Sequence, residues 1–511
     1  MKVRLSIATV AISVVTVAGC SAGGSTSSST GGGGGSGGST GSFTVLVAGN
    51  GGLNYDPQTN AAPSAGEFMM PVFDTLVTEH RDGTISAGLA TAWKFSEDKK
   101  TLTLNLRDGV TFHDGTAFNA EAVKSNIARG QTDAKSVVAG QLAAIESIET
   151  PSANVVTLRL KEPNGALLGF FAGPAGMMAS PKAWANSNYA INPVGTGPWQ
   201  VSASSKPGSD MVYTAFPQYW NKSVQKVATV HIRVGTESTF VPSVTGNSAQ
   251  AVTLTGAATD AETLKAAGLP VAPAGTTYLH LMYLNKSGVF ADPKVRQAVS
   301  LAIDRKTICT SLLAGACTVT GQPLEPKSWA YDSSLAAPTQ DVERAKALLA
   351  EAGHPQGISF KAVVSSAGTQ LQTELSAIQQ MLAKANITMT TTPMPIAQLL
   401  PTLGSGDAQA YYSVGTGGAD PAIPLSSMIA PAYNPGGYKD SAFVPALAAA
   451  TGAATQEERA TAYKKASAAY QQSVFNVVIL NQDLQFATAK GVSGVTAHDP
   501  LILDARGVTV R

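Results

Sequence analysis

Residues 292–305 read DPKVRQAVSLAIDR and contain the clearest helical pattern in the chain. Asp292 suits an N-cap and Pro293 the first helical turn, and the apolar residues that follow recur at the spacing of one helical face. Residues 292–303 of this stretch therefore predict a helix with one face buried in a core. Within the full stretch, we expect Arg296 and Asp304 to act structurally, by ion pairing or by capping.

Strand and helix patterns alternate on both sides of this helix. Short β-rich runs predict strands at residues 43–47, 101–106, 155–160, 227–234, 279–284, 387–391 and 474–480. Helical patterns occupy residues 342–351, 371–385 and 455–470. A further helix opens at Asn119, and Thr455 and Glu458 have the spacing of a capping box. This interleaving argues for α/β domains.

The composition and the motifs exclude several functional classes. Of the 511 residues, 35 are basic and 34 acidic, so the net charge of +1 gives no reason to expect a nucleic acid partner. The six histidines lack the spacing of a metal site, and no phosphate-binding loop occurs. The sequence offers no convincing pair of nucleophile and base. We therefore expect no catalytic residues, no metal and no cofactor.

The first 42 residues predict export and tethering. Residues 5–19 are uncharged and largely apolar, follow two basic residues, and are short for a membrane span, which is the layout of a signal peptide. Residues 17–20, VAGC, resemble the lipobox of bacterial lipoproteins, in which the chain is cleaved before the cysteine and the thiol is lipidated. We expect removal of residues 1–19, a lipid on Cys20 at the cell membrane, and a flexible Gly/Ser tether over residues 20–42 on the extracytoplasmic side.

Several segments resemble motifs of the family 5 solute-binding proteins of bacterial ABC importers, the group of the dipeptide-, oligopeptide- and nickel-binding proteins. They are VRQAVSLAIDR at 295–305 after LN at 284–285, WKFSED at 93–98 with LRDGVTFHDG at 106–115, NPVGTGPW at 192–199 and YW at 219–220. Each segment also has an ordinary structural role in a helix or a turn, so the motifs identify a scaffold and not a site.

The resemblance implies an α/β, periplasmic-binding-protein-like fold, in which two large lobes enclose a ligand cleft beside a third, smaller domain. On this discontinuous chain, domain I is residues 43–76, 191–279 and 481–511, domain II is 77–190 and domain III is 280–480. We expect a monomeric, non-enzymatic lipoprotein that captures a short peptide and delivers it to the permease subunits of an ABC importer. The alternatives are nickel or another metal chelate, an oligosaccharide or an opine as the solute, and a secreted hydrolase on an α/β scaffold.

Peptide-binding members of that family place an Asp, just before a Pro in a domain III loop, against the α-amino group of the ligand. Asp420-Pro421 matches this position, so Asp420 and the preceding Gly418 and Ala419 are candidate ligand contacts. The aromatic residue often present several positions earlier is replaced by GTG at 415–417. This difference predicts a roomier or differently shaped pocket.

The loop after the first predicted strand, residues 49–56, corresponds to a segment that faces the cleft in the same family. Asn54 and Tyr55 are therefore further candidates for ligand contact. The glycine-rich backbone of this loop can pair with an extended peptide as an added strand, a mode that recognises the main chain.

Cys309 and Cys317 are the cysteines that are left once Cys20 carries lipid. They lie eight residues apart in a chain that we expect to be exported, and disulfides form and persist outside the cytoplasm. We therefore expect a structural disulfide that closes a short loop.

Replacing Cys20 with alanine should release the protein from the membrane fraction, because the thiol that carries the lipid is lost. Cell fractionation of wild type and variant, with the intact mass of the wild type, measures this. Ser21→Ala is the matched control and should leave retention unchanged. Membrane retention of Cys20→Ala, together with a wild-type mass that includes no lipid, would contradict the prediction.

Overall fold

The structure is a computed structural model that describes residues 41–49, 51–60, 65–80, 82–254, 258–366, 369–418, 420–453, 455–498 and 502–511. The predicted signal peptide, Cys20 and Ala419 lie outside the described residues, as does the predicted tether apart from its last two residues. Within the described ranges, no helix has the length and apolar character needed to cross a membrane.

The strands follow one another along the whole described chain. They are β1 (Ser42–Val47), β2 (Val77–Glu79), β3 (Ile85–Ala87), β4 (Ala90–Phe95), β5 (Thr101–Leu106), β6 (Ile145–Ser152), β7 (Val155–Leu160), β8 (Trp199–Val201), β9 (Asp210–Ala215), β10 (Thr229–Val234), β11 (Ala251–Leu254), β12 (Val271–Leu284), β13 (Cys317–Val319), β14 (Ile358–Ser365), β15 (Ile387–Met394), β16 (Ala410–Thr416), β17 (Val477–Thr488), β18 (Val492–Ser493), β19 (Thr496–His498), β20 (Ile502–Asp504) and β21 (Thr509–Val510).

Helices alternate with these strands. They are α1 (Gly66–Met69), α2 (Ala120–Thr132), α3 (Ala139–Leu142), α4 (Leu167–Phe170), α5 (Glu237–Thr245), α6 (Ala258–Ala266), α7 (Pro293–Leu301), α8 (Arg305–Leu312), α9 (Val342–Glu351), α10 (Thr369–Ala383), α11 (Ile396–Ser405), α12 (Ala422–Ile429), α13 (Phe443–Gly452) and α14 (Gln456–Ser473).

One large sheet runs through the molecule. Its strand order is β15-β14-β16-β12-β17-β11-β1-β10-β9-β8, and β13 pairs with β17 beside this path. At its centre, β12 and β17 are antiparallel neighbours of 14 and 12 residues. These two long strands join two halves of the sheet that are otherwise built from separate, shorter strands.

The pairing of β12 with β17 is interrupted between Pro273 and Thr277. Gly275 lies in this interruption with a φ of 76°, a left-handed conformation that is unfavourable for a residue with a side chain. Pro273 has no N–H to donate to a neighbouring strand. The ladder between the two halves of the sheet is therefore irregular at residues 273–277.

The elements group into three lobes. Lobe I contains β1, β8–β11 and β18–β21, lobe II contains β2–β7 with α2–α4, and lobe III contains β13–β16 with α7–α14, while β12 and β17 connect lobes I and III. Lobe II has its own antiparallel sheet of order β4-β5-β7-β6. The predicted α/β fold is confirmed. The predicted domain boundaries stay predictions, because the described residues belong to one compact unit.

Lobe II packs directly on lobe III. Phe170 of lobe II and Leu425 of lobe III belong to the same buried apolar cluster. At the edge of this contact, the Gly165 N–H donates to the Thr451 carbonyl at 3.2 Å, and the Gln456 side chain donates to the carbonyl of Asp82. The two lobes therefore share an apolar interface with polar contacts around it.

The helix predicted at residues 292–303 is α7, and α8 begins after it at Arg305. Asp292 caps α7 and Asp304 caps α8 with side-chain oxygens, so the predicted capping by Asp304 is confirmed. Arg296 is fully buried and donates to the carbonyls of Val474 at 3.0 Å and Phe290 at 2.9 Å. Arg296 therefore binds backbone carbonyls, one of them at the end of α14. These carbonyls take the place of the carboxylate that an ion pair would have required.

Cys309 of α8 and Cys317 of β13 form a disulfide with their Cα atoms 5.9 Å apart. β13 pairs with the central strand β17, with Thr318 opposite Asn481. The disulfide therefore links α8 to the start of β13, where the chain enters the central sheet.

A buried polar network joins β12 to α10. His280 Nδ1 lies 2.7 Å from Glu374 Oε2, and both side chains have no solvent exposure. The hydroxyl of Tyr412 donates to the same oxygen at 2.7 Å, and Gln370 donates to Oε1 at 3.0 Å. Burial acts to raise the pKa of Glu374, but the hydrogen bond and charge of His280 outweigh it, so the pKa lies below its ordinary value.

Glu374→Gln should lower the free energy of unfolding at pH 7 by about 1–3 kcal/mol, because it replaces a buried carboxylate that is hydrogen-bonded to His280 and Tyr412 with a neutral amide. A lowered folded-state pKa stabilises the protein above the ordinary glutamate pKa of about 4.3, and this contribution is lost as the pH falls through the folded-state pKa. The difference in the free energy of unfolding between wild type and variant should therefore become smaller below about pH 4.

Urea unfolding of both proteins at pH 7 and at pH 3.5 measures this gap. Glu343→Gln is the matched control, since the Glu343 side chain is 82% exposed on α9 of the same lobe. An equal gap at both pH values would show that the carboxylate charge does not stabilise the network.

Candidate functional site

A groove of about 590 Å³ lies where lobes I and II meet α12 of lobe III. Its size falls within the range of pockets that enclose small ligands. The residues that line it are Asn60, Gly66, Met69, Met70, Phe73, Asp74, Thr75, Thr78, Glu79, Ala87, Gly88, Ala172, Gly173, Pro174, Met177, Tyr219, Trp220, Asn221, Val224, Ile423, His498, Ile502, Asp504 and Arg506.

A hydrogen-bonded ion cluster forms one wall of the groove. The Arg506 guanidinium lies 3.1 Å from Asp74 and 3.2 Å from Asp504. Trp220 Nε1 donates to Asp74 at 2.9 Å, and the Tyr219 hydroxyl donates to it at 3.1 Å. These contacts hold the aromatic side chains of the YW segment against the C-terminal strands of lobe I.

The two carboxylates of this cluster differ electrostatically. Burial raises the pKa of Asp74, although Arg506 and the two aromatic donors act in the opposite direction. Burial acts in the same way on Asp504, but there the charge of Arg506 and the hydrogen bond from His498 outweigh it and lower the pKa. Asp504 is therefore the more firmly ionised partner of Arg506.

A small, partly enclosed cavity lies beside the irregular stretch of the central strands. It offers about 10 Å³ to the centre of a water-sized sphere, which is about the space of one water molecule. The residues that line it are Thr277, Leu279, Pro323, Leu324, Glu325, Ser328, Gly417, Gly418, Pro424 and Asn481. The cavity thus brings together the central strands β12 and β17, the segment after β13 and the loop after β16.

Glu325 is the carboxylate of this cavity and is 8% exposed. Its Oε2 accepts hydrogen bonds from the N–H and the hydroxyl of Thr277, both at 3.2 Å. The Thr277 hydroxyl also lies 3.0 Å from Asn481 Oδ1. The loop that carries Glu325 is closed by Gln322, whose side-chain amide bonds both the carbonyl and the N–H of Asp332.

The start of α12, which follows the loop after β16, stands between the groove and the small cavity. Ile423 lines the groove, whereas the next residue, Pro424, lines the cavity. A Cβ on Gly417 would lie 3.4 Å from the carboxyl carbon of Glu325, and a Cβ on Gly418 would lie 3.1 Å from Ile423 Cβ. The glycines that replace the expected aromatic residue therefore leave space next to a carboxylate.

The structure places Asp420 in an internal ion pair. Asp420 is fully buried, its Oδ2 lies 2.5 Å from Arg459 Nη2, and its Oδ1 accepts from the Ala422 N–H at 2.8 Å. The carboxylate also packs on lobe II, since a Cβ on Gly169 would lie 2.6 Å from Oδ2. Its predicted role in ligand binding stays a prediction, and the ion pair gives it a structural role that the sequence analysis did not anticipate.

Asn54 and Tyr55 also have structural roles. Asn54 accepts from the Asp56 N–H at 3.1 Å and donates to Thr59 at 3.0 Å, so its side chain shapes its own loop. Tyr55 has no exposed surface, and its ring stacks on Phe68 with 4.8 Å between centroids. Neither residue is among those that line the groove or the small cavity, and ligand contact by them stays a prediction.

Sequence reasoning identified Gly418 and missed most of the other residues around the cavity. Thr277, Glu325 and Asn481 belong to three segments that are far apart in the chain. The first lies in a stretch interrupted by Pro and Gly, and the second lies in a segment without periodicity. The described residues include no group of three His, Cys, Asp or Glu side chains placed to hold a metal ion.

Comparison with known proteins gives a consistent result. The family described as bacterial extracellular solute-binding proteins, family 5 Middle, matches residues 84–439. The glutathione-binding protein GsiB of Salmonella typhi is 28% identical over 441 residues, which cover 81% of this chain and 84% of that protein.

Two solved structures are similar over nearly their full length. The binding protein AgaA from A. tumefacien R10, in complex with agropinic acid, has a TM-score of 0.81 and 24% identity, and the match covers 92% of this chain and 99% of that one. DppA from Helicobacter pylori, in complex with the peptide STSA, has a TM-score of 0.81 and 22% identity, with 92% and 98% covered. At these identities, the likeness establishes the fold.

Asp420→Asn should lower the free energy of unfolding of the ligand-free protein by about 3–5 kcal/mol, because it leaves the buried Arg459 guanidinium without its charge partner. The double variant Asp420→Asn/Arg459→Met should recover part of that loss, since it removes both members of the pair. Urea unfolding of the single and double variants measures the coupling.

Glu149→Gln is the control, because it breaks an ion pair with Arg159 in which both side chains are about half exposed. It should change stability little. If Asp420→Asn leaves stability unchanged and instead weakens ligand binding, the predicted ligand contact is the correct role of this residue.

Proposed function

Because the chain belongs to the bacterial extracellular solute-binding proteins of family 5, it is the substrate-binding component of an ABC importer, and we propose that its solute is a short peptide. The observation that carries this proposal is the groove of about 590 Å³ where three lobes meet. A groove of this size suits a ligand of a few residues better than a single ion.

The groove lining matches the chemistry of a peptide. Uncharged donors and acceptors come from Asn60, Thr75, Thr78 and Asn221, and apolar surface comes from Met69 of α1 and from Met70 directly after it. Peptide amides need both donors and acceptors, and apolar side chains need surface that excludes water. The names of similar proteins support the same ligand class, since GsiB is a glutathione-binding protein and DppA was solved with a peptide.

Capture would use the central strands as a hinge. Lobes I and III are joined by β12 and β17, whose ladder is irregular at residues 273–277, beside the small cavity. A rotation at this point would open the groove between lobes, and closure would bring α12 over the bound solute. Closure would also exclude water, which strengthens polar contacts to the ligand.

The lipid anchor belongs to this proposal. A thioether-linked lipid on Cys20 and the tether over residues 20–42 would keep a monomeric protein at the outer face of the membrane, close to its permease. A globule held this way meets its permease at a high effective concentration.

The rival solutes differ in what they require. A metal chelate would call for ligating side chains or a large charged shell, and an opine or oligosaccharide would call for hydroxyl recognition. AgaA was solved with agropinic acid, so an opine-like solute is the main rival within this fold. A hydrolase would require a nucleophile with a base, for which the sequence provides no convincing candidate, and we propose no catalytic role.

Mass spectrometry of small molecules released from the purified full-length protein should find a species with amide bonds and the mass of a short peptide. Calorimetry with glutathione and with Ser-Thr-Ser-Ala should then give one binding site. If only a metal chelate, a sugar or an opine is released, and neither peptide binds, the peptide assignment is wrong.

A variant tests whether the ligand binds in the groove. Gly173 lines the groove, and the nearest atom to a Cβ there would be 3.7 Å away, so Gly173→Leu should fold, fill the groove and weaken binding about tenfold, the equivalent of 1.4 kcal/mol. Gly140→Leu is the control, because a Cβ on Gly140 of α3 has no atom within 4 Å. Equal affinity of both variants would place the ligand elsewhere.

A further inference from the structure

We propose that a second groove, on the surface of lobe III, binds a small amphipathic carboxylate, that is, an anion with an aliphatic body. This lobe III groove has a volume of about 530 Å³ and lies where α7, α9 and the end of α14 meet the loop before α9. None of the described residues lines both this groove and the groove between the lobes. The inference therefore goes beyond the proposed function and does not depend on it.

The apolar part of the lining is aliphatic. Leu301 and Leu335 are partly exposed, whereas Leu348 and Val474 belong to the buried core of lobe III. An aliphatic chain that lies on these side chains removes apolar surface from water on both partners, which is favourable in proportion to the area covered. The residues that form this apolar surface are Leu301, Leu335, Pro338, Leu348, Ala468 and Val474.

The composition of the lining favours a small molecule over a protein partner. Protein interfaces are enriched in Tyr, Trp, Phe, Met and Arg. Among the described residues that line the lobe III groove, none is aromatic and none is methionine, and Arg344 is the only arginine. The volume of the groove also falls within the range of pockets that hold small ligands. A small aliphatic molecule therefore suits this groove better than a protein surface does.

Two buried guanidinium groups lie directly behind the lining. Arg296 donates to the carbonyl of Val474 at 3.0 Å, and Arg305 donates to the carbonyl of Ser300 at 2.8 Å and to its hydroxyl at 2.7 Å. Val474 and Ser300 both line the groove. Arg296 has no exposed surface and Arg305 is 2% exposed. Within the described part of the chain, both guanidiniums bond carbonyls and hydroxyls, and neither has a carboxylate partner.

These two buried charges decide the sign of the potential at the groove. The carbonyl ends of α7 and α14 meet here, and each carries about half a negative charge, so together they offset about one of the two guanidinium charges. The exposed charges nearby cancel one another. Arg344 and Lys294 both pair with Glu351, at 2.7 Å and 3.3 Å, and Asp341 accepts from the N–H of Arg344. About one positive charge remains by this count, so the groove favours an anion.

The polar part of the lining offers donors to a carboxylate. It consists of the guanidinium of Arg344 and the side-chain amides of Gln297, Gln471 and Gln472. A side-chain amide has two N–H donors. Gln297 donates to the carbonyl of Gln472 at 3.0 Å and Gln471 to that of Ala336 at 2.8 Å, while Gln472 itself is exposed. A ligand carboxylate therefore finds N–H groups at the edge of an aliphatic surface.

Calorimetry of the full-length protein with decanoate and with decylammonium tests the charge preference, because the two molecules have the same chain and opposite charges. Decanoate should bind at one site, and decylammonium should bind about tenfold more weakly or less tightly still, the equivalent of one positive charge at the groove. Absence of decanoate binding overturns the inference. Equal affinity for the two molecules overturns it as well, since the groove would then be apolar without selecting an anion.

Ala468→Phe tests the location. Ala468 of α14 is partly exposed and lines the groove, so the variant should fold with its ring in the space of the aliphatic chain. Decanoate should then bind about tenfold more weakly. Ala383→Phe is the control, because Ala383 is exposed on α10 of the same lobe and does not line the groove. If the two variants bind decanoate equally well, the molecule binds elsewhere and the inference is overturned.

A charge change at Gln472 is the second variant, and it does not depend on the folding of Ala468→Phe. Gln472→Lys should strengthen decanoate binding about threefold and Gln472→Glu should weaken it about threefold, the size of effect expected from one exposed charge. Gln380→Lys and Gln380→Glu are the controls, because Gln380 is exposed on α10. If the Gln472 variants bind decanoate as the wild type does, no carboxylate lies at this edge and the inference is overturned.

Other occupants of the groove would also overturn the inference. If sedimentation shows that the wild type dimerises and Ala468→Phe does not, a second copy of the chain covers the groove. If the acidic peptide acetyl-Leu-Glu-Leu-Glu-amide binds more tightly than decanoate and is lost with Ala468→Phe, the groove receives a polypeptide. A peptide that binds between the lobes is instead lost with Gly173→Leu, so the proposed function and this inference fail separately.

Discussion

The pairing of β12 with β17 is the constraint on which the other features depend. Backbone N–H and C=O groups that are buried must be hydrogen-bonded, so a chain that crosses between lobes through the interior does so best as paired strands. Here each crossing strand is the partner of the other, and both also pair with the flanking strands of their lobe. Lobes I and III therefore share one sheet, and its β12–β17 ladder is irregular at residues 273–277 and again between His280 and Leu281.

The irregular pairing of β12 with β17 explains why polar side chains lie beside residues 273–277. A regular ladder would direct Thr277 and its neighbours into strand pairing, but the interrupted register leaves the Thr277 N–H to bond Glu325. Asn481 on β17 meets the same threonine from the other strand. A cavity lined by a carboxylate, a hydroxyl and an amide results from the irregularity of the sheet.

Buried ionisable side chains with hydrogen-bonded partners lie in each part of the structure. Asp420 with Arg459 lies at the contact of lobes II and III, Arg506 with its two aspartates lies in lobe I, and Glu374 lies beside His280 in lobe III. Desolvation offsets most of the attraction in such pairs, so they contribute more to a defined geometry than to net stability. Asp420 illustrates the consequence, because its pair with Arg459 and its contact with Gly169 fix the position of the loop after β16 against lobe II.

Local patterns were sufficient for the scaffold. The strands at Thr101–Leu106 and Val155–Leu160, the helix at Val342–Glu351 and the capping box of Thr455 with Glu458 are formed where the sequence predicted them. These features depend on side-chain periodicity and on hydrogen bonds between residues a few positions apart, which a single sequence displays directly.

The full length of β12 and the site were decided only by the tertiary structure. Pro273 and Gly275 suggest a turn to a local reading, yet pairing with β17 carries the strand through them. Arg459 is 39 residues from Asp420, Glu325 is 48 from Thr277, and Asn481 is 204 from Thr277. No local pattern links such residues, because their contacts follow from how the lobes pack, and packing is a property of the whole chain. The sequence by itself therefore determined the scaffold and its helix caps, and the folded chain determined which distant side chains meet, as Asp420 and Arg459 do at the contact of lobes II and III.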